Sequence, residues 1–394
     1  MTPVSGMPDC GLRTRREFLI SAAAAFTVAC AGGDAAVPAR RAAVIGHTGR
    51  GDYGHGLEAI FAGRPEIELV AVADPVEAAR ERRVRETGAL RAYADWRELL
   101  DRERPDLVSI AMRHADQHAE VALACLRAGA HCYVEKPFVT TCEEADAVLA
   151  EADRCHRRVA VAHTMRMSPA VRRLRDWVAG GGIGALRELQ AFGKQDHRAG
   201  GEDLIVLGTH LFDLMRLFAG DPLWVSARIM TSGRDITVAD RRRVKDEVGW
   251  VAGDTVRAQL AFADGVQGLF TSDGALRETT GHWGIELRGS RGVARLKCDL
   301  MPSVFTRTTP PWSTGDGSEV WAPLDGVGPM EAADHNRAPV EDWLDAIATG
   351  REPECSARNG AWAIEMVSGC YQSALGAGRV GFPLPVRAGP LGAI

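Results

Sequence analysis

Val44-Ile45-Gly46-His47-Thr48-Gly49-Arg50-Gly51-Asp52-Tyr53-Gly54 joins a short apolar, β-prone run directly to a cluster of glycines. Glycines at such a junction let the main chain turn sharply and lie against a pyrophosphate, whose charge the following helix N-terminus meets. Two registers of the G-x-G-x-x-G pattern are open. Gly49, Gly51 and Gly54 match it literally but begin well after the strand, whereas Gly46, Thr48 and Gly51 sit where the turn belongs, with threonine at the middle glycine. The second register is preferred because the turn must leave the strand at once. It makes Gly46, Thr48, Gly49, Arg50 and Gly51 the candidate cofactor cradle. The next apolar run ends in Val72-Ala73-Asp74, and an acid there can accept hydrogen bonds from a ribose while repelling a 2′-phosphate, so NAD is expected over NADP. A P-loop is excluded, since Gly54 is followed by His55-Gly56 and not by Lys-Ser/Thr.

Outward from this turn, strand and helix signals alternate. Short β-rich runs fall at 42–45, 69–73, 107–111, 132–134 and 159–162, and apolar residues at helical spacing lie between them, as in Ala145, Val148, Leu149 and Ala152. Thr141 with Glu144, and Asp95 with Glu98, have the capping-box spacing that starts a helix. This order predicts an α/β fold whose N-terminal part, 40–163, is a Rossmann-type doubly wound parallel sheet. After 164 the texture changes. A helix is expected over 203–219, with Leu204, Leu207, Leu211, Leu214, Met215 and Phe218 as its apolar stripe and Gly220-Asp221-Pro222 as its stop. Hairpin signals follow at Asp264-Gly265 and at Gly289-Ser290-Arg291-Gly292, so a second domain, 164–386, should carry an antiparallel sheet. The Pro- and Gly-rich stretch 302–329 reads as a surface loop, and helices over 340–349 and 359–374 close the chain.

Composition sets the class. The chain has 394 residues, 46% hydrophobic and 25% charged, which is that of a folded protein and excludes disordered, collagen-like and disulfide-scaffold classes. A net charge of −5 gives no basic field, so no nucleic-acid partner is expected. Residues 1–31 read as an address. Arg15-Arg16-Glu17-Phe18-Leu19 precedes an alanine-rich apolar run too short to anchor in a bilayer, which resembles a twin-arginine export signal and predicts an exported, periplasmic protein handled by the twin-arginine machinery. Cleavage after Ala31 is expected, with lipidation at Cys30 as the alternative. The seven cysteines after the leader have scattered spacings without C-x-x-C, which suggests neither zinc nor a redox dithiol and leaves at least one free thiol.

Two further clusters carry chemistry. Tyr133-Val134-Glu135-Lys136-Pro137-Phe138 lies at the carboxyl end of an expected strand, where ligands bind in such sheets. Lys136 is one of only four lysines among 47 basic residues, and an ammonium there can hydrogen-bond a substrate hydroxyl and favour loss of its proton. Gly200-Gly201-Glu202-Asp203-Leu204-Ile205-Val206-Leu207-Gly208-Thr209-His210-Leu211-Phe212-Asp213 places His210 and Asp213 on one helix face, away from the leucine stripe. His210 suits a general base near neutral pH, and Asp213 is expected to orient it, although a purely structural His-Asp pair has the same spacing. His114 and His118 are spaced for one metal, but no glutamate follows His114 and no third ligand is evident, so no metal is expected.

Taken together, the turn, Ala73-Asp74, Ser109-Ile110-Ala111 with His118-Ala119-Glu120, Glu135-Lys136-Pro137, the run from Gly200 to Asp213 and the final Glu341-Asp342-Trp343-Leu344 resemble the glucose–fructose oxidoreductase / inositol dehydrogenase (Gfo/Idh/MocA) family. The likeness runs in order over nearly the whole chain after the leader. It implies a Rossmann domain followed by an α/β domain with an open antiparallel sheet that often mediates homo-oligomers, and NAD(P)-linked redox chemistry on sugars or cyclitols. By position it implies Lys136 and His210 as catalytic residues, Glu135 beside the nicotinamide ribose, His118 among the cofactor residues, and Arg166, with Asp213, at the substrate. Two positions depart from the family pattern. Many members carry an aspartate four residues before the histidine, where this chain has Val206, and Met112-Arg113-His114 replaces the usual Thr-Pro-Asn. Asp196, His197, Glu202 and Asp203 are candidates to compensate.

The expected reaction is hydride transfer from a carbohydrate C–OH, with His210 taking the hydroxyl proton and Lys136 polarising the oxygen. Because a periplasm offers little free NAD, the cofactor should be tightly retained. That allows two alternatives: a redox-neutral NAD-dependent glycoside hydrolase or lyase, or a non-catalytic sugar- or NAD-binding protein, which Val206 would favour.

Overall fold

Strand β1 (Arg40–Ile45) is buried along its last four residues because helices cover both faces of its sheet, which is why the parallel strands read as continuous apolar runs. The computed structural model describes residues 39–276, 283–331 and 334–392; the leader with its twin-arginine motif and Cys30 lies outside these residues. Among them, β1, β2 (Ile67–Ala73), β3 (Arg91–Tyr93), β4 (Leu107–Ile110), β5 (His131–Val134) and β6 (Val159–Val161) form a six-stranded sheet. Its order is β3-β2-β1-β4-β5-β6, parallel throughout, so the switch point lies between β1 and β4. Helices α1 (Glu77–Thr87), α2 (Trp96–Glu103), α3 (His118–Arg127) and α4 (Cys142–Cys155) make the crossovers. Thr141 and Glu144 close the expected capping box on α4. Asp95 caps α2 through the Arg97 amide, and no reciprocal bond from Glu98 accompanies it among the described residues. After the glycine turn the chain forms only a short 3-10 turn, Leu57–Ala59, where the motif led one to expect a full helix.

The second sheet has ten strands among the described residues: β7 (Leu186–Phe192), β8 (Trp224–Thr231), β9 (Arg234–Asp235), β10 (Thr255–Ala261), β11 (Gln267–Asp273), β12 (Trp283–Gly289), β13 (Val293–Cys298), β14 (Ser303–Arg307), β15 (Ala322–Pro323) and β16 (Val380–Gly381). The order is β15-β14-β13-β12-β7-β11-β10-β8-β16, with β9 paired to β8. Both expected hairpins are present, as β10–β11 and β12–β13. The sheet is mixed, since β11 runs parallel to β7. Val256, Ala258 and Leu260 of β10 face the core while Arg257 and Gln259 face out, the alternation of a sheet covered on one side. The stretch expected as loop over 302–329 contributes β14 and β15, because Val304 pairs back across β13 into the core.

Helix α5 (Pro169–Ala179) bridges the two sheets in sequence. The helix expected over 203–219 is two, α6 (Gly201–Val206) and α7 (Gly208–Ala219), broken at Leu207. Asp203 ties α6 to the neighbouring chain: its buried carboxylate accepts from the amides of Lys194 and Gln195 and from the Ser272 hydroxyl, at 3.2, 3.0 and 2.6 Å. Helices α8 (Arg337–Thr349) and α9 (Ala357–Gly376) return to the first sheet. Trp343 is fully buried edge-on to Tyr133 of β5, with ring centres 5.7 Å apart, and the Cys355 carbonyl accepts from the Val161 amide. The seven cysteines after the leader are all free thiols, and only Cys155 among them is not buried.

Candidate active site

The carboxyl ends of β1, β2, β4 and β5 converge where the glycine turn leaves β1. Gly51 has φ +80°, and a Cβ there would stand 2.5 Å from the His114 ring, so only glycine fits. Gly46 likewise carries the ring of Tyr53 against its Cα. Asp74, buried at the end of β2, does not project freely: its Oδ2 accepts from the Thr48 amide and hydroxyl at 2.9 and 2.7 Å, and its Oδ1 from the Val76 amide. It braces the turn while still lining a shallow cleft of about 650 Å³ with Gly46, His47, Trp96 and Met112. Of the other cradle residues, Gly49 lies beside the His47 ring and Arg50 pairs with Asp116 at 2.6 Å.

On the other side of the turn a deeper cleft, with about 1020 Å³ of open space, is lined by Lys136, His210, His55, Arg113, Lys194 and Arg198 among others. Lys136, only 8% exposed, comes from the end of β5, and its Nζ lies 3.5 Å from the carbonyl oxygen of Val206. Burial lowers its pKa, against the opposing pull of the Glu135 carboxylate. An ammonium made more acidic in this way is suited to exchanging a proton with a bound hydroxyl.

His210 enters the same cleft from α7. Its ring packs edge-on against His163 and Trp283, with centres 5.2 and 5.5 Å away. Burial, then the charge of Lys136, hold its pKa well below the ordinary histidine value. Its Nδ1 is buried without a partner among the described residues, and so is the Nε2 of His163, whose pKa burial pushes down to about 4.

The expected orientation of His210 by Asp213 does not occur. Asp213 is paired with Arg166, Nε to Oδ2 at 3.0 Å and Nη2 to Oδ1 at 2.9 Å, and both lie buried behind the cleft wall rather than on its surface. A buried guanidinium left without a carboxylate would be costly, and that demand claims Asp213. His118, expected among the cofactor residues, has both ring nitrogens facing main-chain carbonyls. It is fully buried, and its ring nitrogens lie 2.9 Å from the Pro137 carbonyl and 2.8 Å from the Met112 carbonyl, tying together the loops after β5 and β4. Two of the compensating candidates are engaged elsewhere: Asp196 is paired with Arg198, and Asp203 is held by Ser272.

Glu135 is fully buried beside Lys136. Burial alone would raise its carboxyl, but the adjacent His55 charge and hydrogen bond, with Lys136, hold it down at about 2. His55 Nδ1 lies 2.6 Å from Glu135 Oε1, and Oε2 has no partner among the described residues. Sequence reasoning did not assign His55, His163, Trp283 or His335 to the site. Gly54-His55-Gly56 was the one local signal, since histidine between two glycines is an odd choice for a helix start.

Taken together, a glycine turn too tight for side chains, two clefts flanking it along the strand ends, and a buried carboxylate oxygen awaiting a donor beside the second cleft fit a dinucleotide lying across the sheet edge. Among the described residues, no group of three or more potential ligands could hold a metal.

Comparison with known proteins agrees with this geometry. Residues 40–163 match the NAD-binding Rossmann fold of the Gfo/Idh/MocA oxidoreductase family, and 187–381 match its C-terminal alpha/beta domain. The chain is 26% identical to the D-apiose dehydrogenase of Paraburkholderia graminis over 326 residues, 78% of this chain and 81% of that protein. It is 26% identical to the levoglucosan dehydrogenase of Pseudarthrobacter phenanthrenivorans over 252 residues, 58% of this chain and 64% of that one. Among solved structures, a levoglucosan dehydrogenase in complex with NADH and L-sorbose shares the fold with a TM-score of 0.71 at 20% identity, covering 88% of this chain and 100% of that one. An oxidoreductase domain protein from Kribbella flavida does so with a TM-score of 0.70 at 24% identity, covering 88% and 100%. Both halves of the chain, the cofactor fold and the mixed sheet with its histidine helix, thus place it in the Gfo/Idh/MocA family of NAD(P)-dependent oxidoreductases.

Proposed function

We propose that the protein oxidises a C–OH group of a sugar, cyclitol or sugar derivative, using NAD in preference to NADP. The observation that carries this reading is the convergence of Lys136 and His210 on one cleft, where the buried His210 Nδ1 has no partner among the described residues. His210 receives the proton of the reacting hydroxyl. Lys136 hydrogen-bonds the same oxygen and stabilises its negative charge as it develops, an electrostatic contribution that a water-poor cleft strengthens. In this reading Glu135 Oε2, buried without a partner among the described residues, accepts from a ribose hydroxyl. A nicotinamide dinucleotide, when bound, supplies the hydride acceptor. Arg166 and Asp213 act behind the wall, holding α7, and therefore His210, against the loop that follows β6.

The chain is further proposed to be exported through its twin-arginine leader, to act in the periplasm as a homo-oligomer, and to keep its cofactor bound through turnover. Native mass spectrometry of the purified protein tests the last point: a retained dinucleotide appears as a fixed mass increment, whereas bare protein would show that the cofactor is exchangeable. A panel of sugars and cyclitols, read by nicotinamide fluorescence, then identifies the substrate class. A panel without response, on protein that binds the dinucleotide, would remove the dehydrogenase reading.

A further inference from the structure

Among the described residues, four cationic side chains and a single carboxylate line the deep cleft. Arg113, on the loop after β4, and Lys194, on the loop after β7, enter it from the two domains and join Lys136 and Arg198. The charges of Arg113 and Arg198 both bear on Lys136. The acids of the region are engaged. Glu135 is held by His55, and Asp196 pairs with Arg198, taking Nε on Oδ1 at 3.0 Å and Nη2 on Oδ2 at 2.5 Å. Asp246 stands 3.9 Å from the same guanidinium. Asp299, the carboxylate that lines the cleft itself, accepts from the Leu300 amide at 2.7 Å. Two cations are left over. Lys194 Nζ lies 3.9 Å from Asp196 Oδ2, beyond hydrogen-bond distance, and the Arg113 guanidinium has neither a hydrogen bond nor an ion pair among the described residues.

We propose that the substrate of this cleft is an acidic sugar, one bearing a carboxylate or a phosphate group, and that Arg113 and Lys194 select it by binding that group. The proposal rests on the reading of this cleft as the substrate site of a sugar oxidoreductase. While the cleft is open, water satisfies the exposed Arg113 and the 40% exposed Lys194. A sugar that fills the cleft expels that water. A neutral sugar then offers the two cations hydroxyl oxygens only, which poorly replace the hydration they lose. Carboxylate or phosphate oxygens form charge-assisted hydrogen bonds instead, and the planar fork of Arg113 can donate two in parallel. Because the two cations come from different domains, an anion held by both also fixes how the sugar lies between them, which is the orientation that Lys136 and His210 need to meet one hydroxyl. Arg113 lines the deep cleft and not the shallow one beside Asp74, although its Cβ lies close to the glycine turn at Gly51. The rival role for it, at the cofactor pyrophosphate, predicts that its removal releases the dinucleotide.

Calorimetric titration of the full chain loaded with NADH, which leaves an alcohol unreacted, tests this with matched sugars. Methyl glucoside, methyl glucuronide and methyl glucoside 6-phosphate form one series, and their galacto and manno counterparts two more. In at least one series the acidic member is expected to bind at least about tenfold tighter than the neutral one, the order of a single charge-assisted hydrogen bond, and the carboxylate and phosphate arms show which group is meant. That ratio should fall to about threefold or less in Arg113→Gln and in Lys194→Gln, with NADH still bound, and should shrink in the wild type as salt rises. If Arg113→Gln does not fold, Lys194→Gln and the salt series decide. Equal affinity of neutral and acidic members in every series, a preference that survives either change in folded protein, or loss of NADH from Arg113→Gln overturns the proposal. The oxidoreductase reading is scored separately, by nicotinamide fluorescence on NAD+-loaded protein. An acidic sugar that binds with the expected preference and reduces nothing counts against that reading alone, whereas neutral sugars reduced without any acidic preference count against the proposal alone.

Discussion

The Lys136 ammonium lies 3.5 Å from the carbonyl oxygen of Val206, at the position where many family members carry an aspartate. The valine side chain offers no charge, so the main chain supplies the contact that a carboxylate would otherwise make. A lysine so placed is left more acidic than usual by burial, with Glu135 as the nearest compensating charge. Val206→Asp should therefore raise the Lys136 pKa, since an opposite charge at contact distance shifts a group by about 1–3 units. The pH–rate profile checks this: the limb assigned to Lys136 moves to higher pH in the variant. An unmoved limb would mean that the lysine does not titrate in the measured step.

The Arg166–Asp213 pair offers a structural prediction. Both side chains are buried, so removing either one strands the other charge, and Arg166→Ala or Asp213→Ala should each cost about 3–5 kcal/mol of unfolding free energy in urea titrations. The double change Arg166→Met with Asp213→Leu should recover much of that loss. If the single variants were as stable as the wild type, the pair would not hold α7 to the loop after β6.

His163 predicts an acid limb in stability. Its pKa is lowered from 6.5 to about 4 by burial, so between those values the unfolded chain binds a proton that the folded chain refuses. Stability rises with pH across that window, is complete above about 6.5, and falls progressively as the pH drops toward 4. The full effect of this single group is at most about 3.5 kcal/mol, at roughly 1.4 kcal/mol per unit. Thermal melts of wild type and His163→Gln across this range should converge at low pH, the variant lacking that share of the acid dependence.

Much of this organisation was legible because it is local. The β1 glycine turn, the acid closing β2, the Thr141–Glu144 box and the two hairpins are each written within a few residues, and each forms where the residue types require. What sequence did not reveal depends on partners distant along the chain. Asp203, just before the break at Leu207, meets Ser272, and Asp213 turns to Arg166 rather than to His210 three residues away. His118 has the position of a cofactor residue in the motif, yet spends both ring nitrogens on carbonyls of two strand-end loops. His55 joins the site only because Glu135 on one side and the adjacent His335 and Asn336 on the other meet it from two separate segments.

Asp74 ties cofactor choice to the shape of the turn. Its carboxylate both braces Thr48 and lines the shallow cleft, so Asp74→Asn should keep the turn while removing the negative charge that opposes a 2′-phosphate. Fluorescence titration should then show NADPH binding at least about tenfold tighter than in the wild type, equivalent to roughly 1.4 kcal/mol. Unchanged NADPH affinity would place the discrimination elsewhere.

The most direct test of the central claim is rapid-mixing nicotinamide fluorescence on the NAD-loaded protein, with a sugar found active in the panel, comparing wild type with Lys136→Ala and His210→Ala. If the two side chains share one proton-and-oxygen task in the deep cleft, the wild type gives a single-turnover rise, and each variant is slowed by about 100-fold or more while still binding the dinucleotide. Turnover at the wild-type rate in either variant would contradict that assignment.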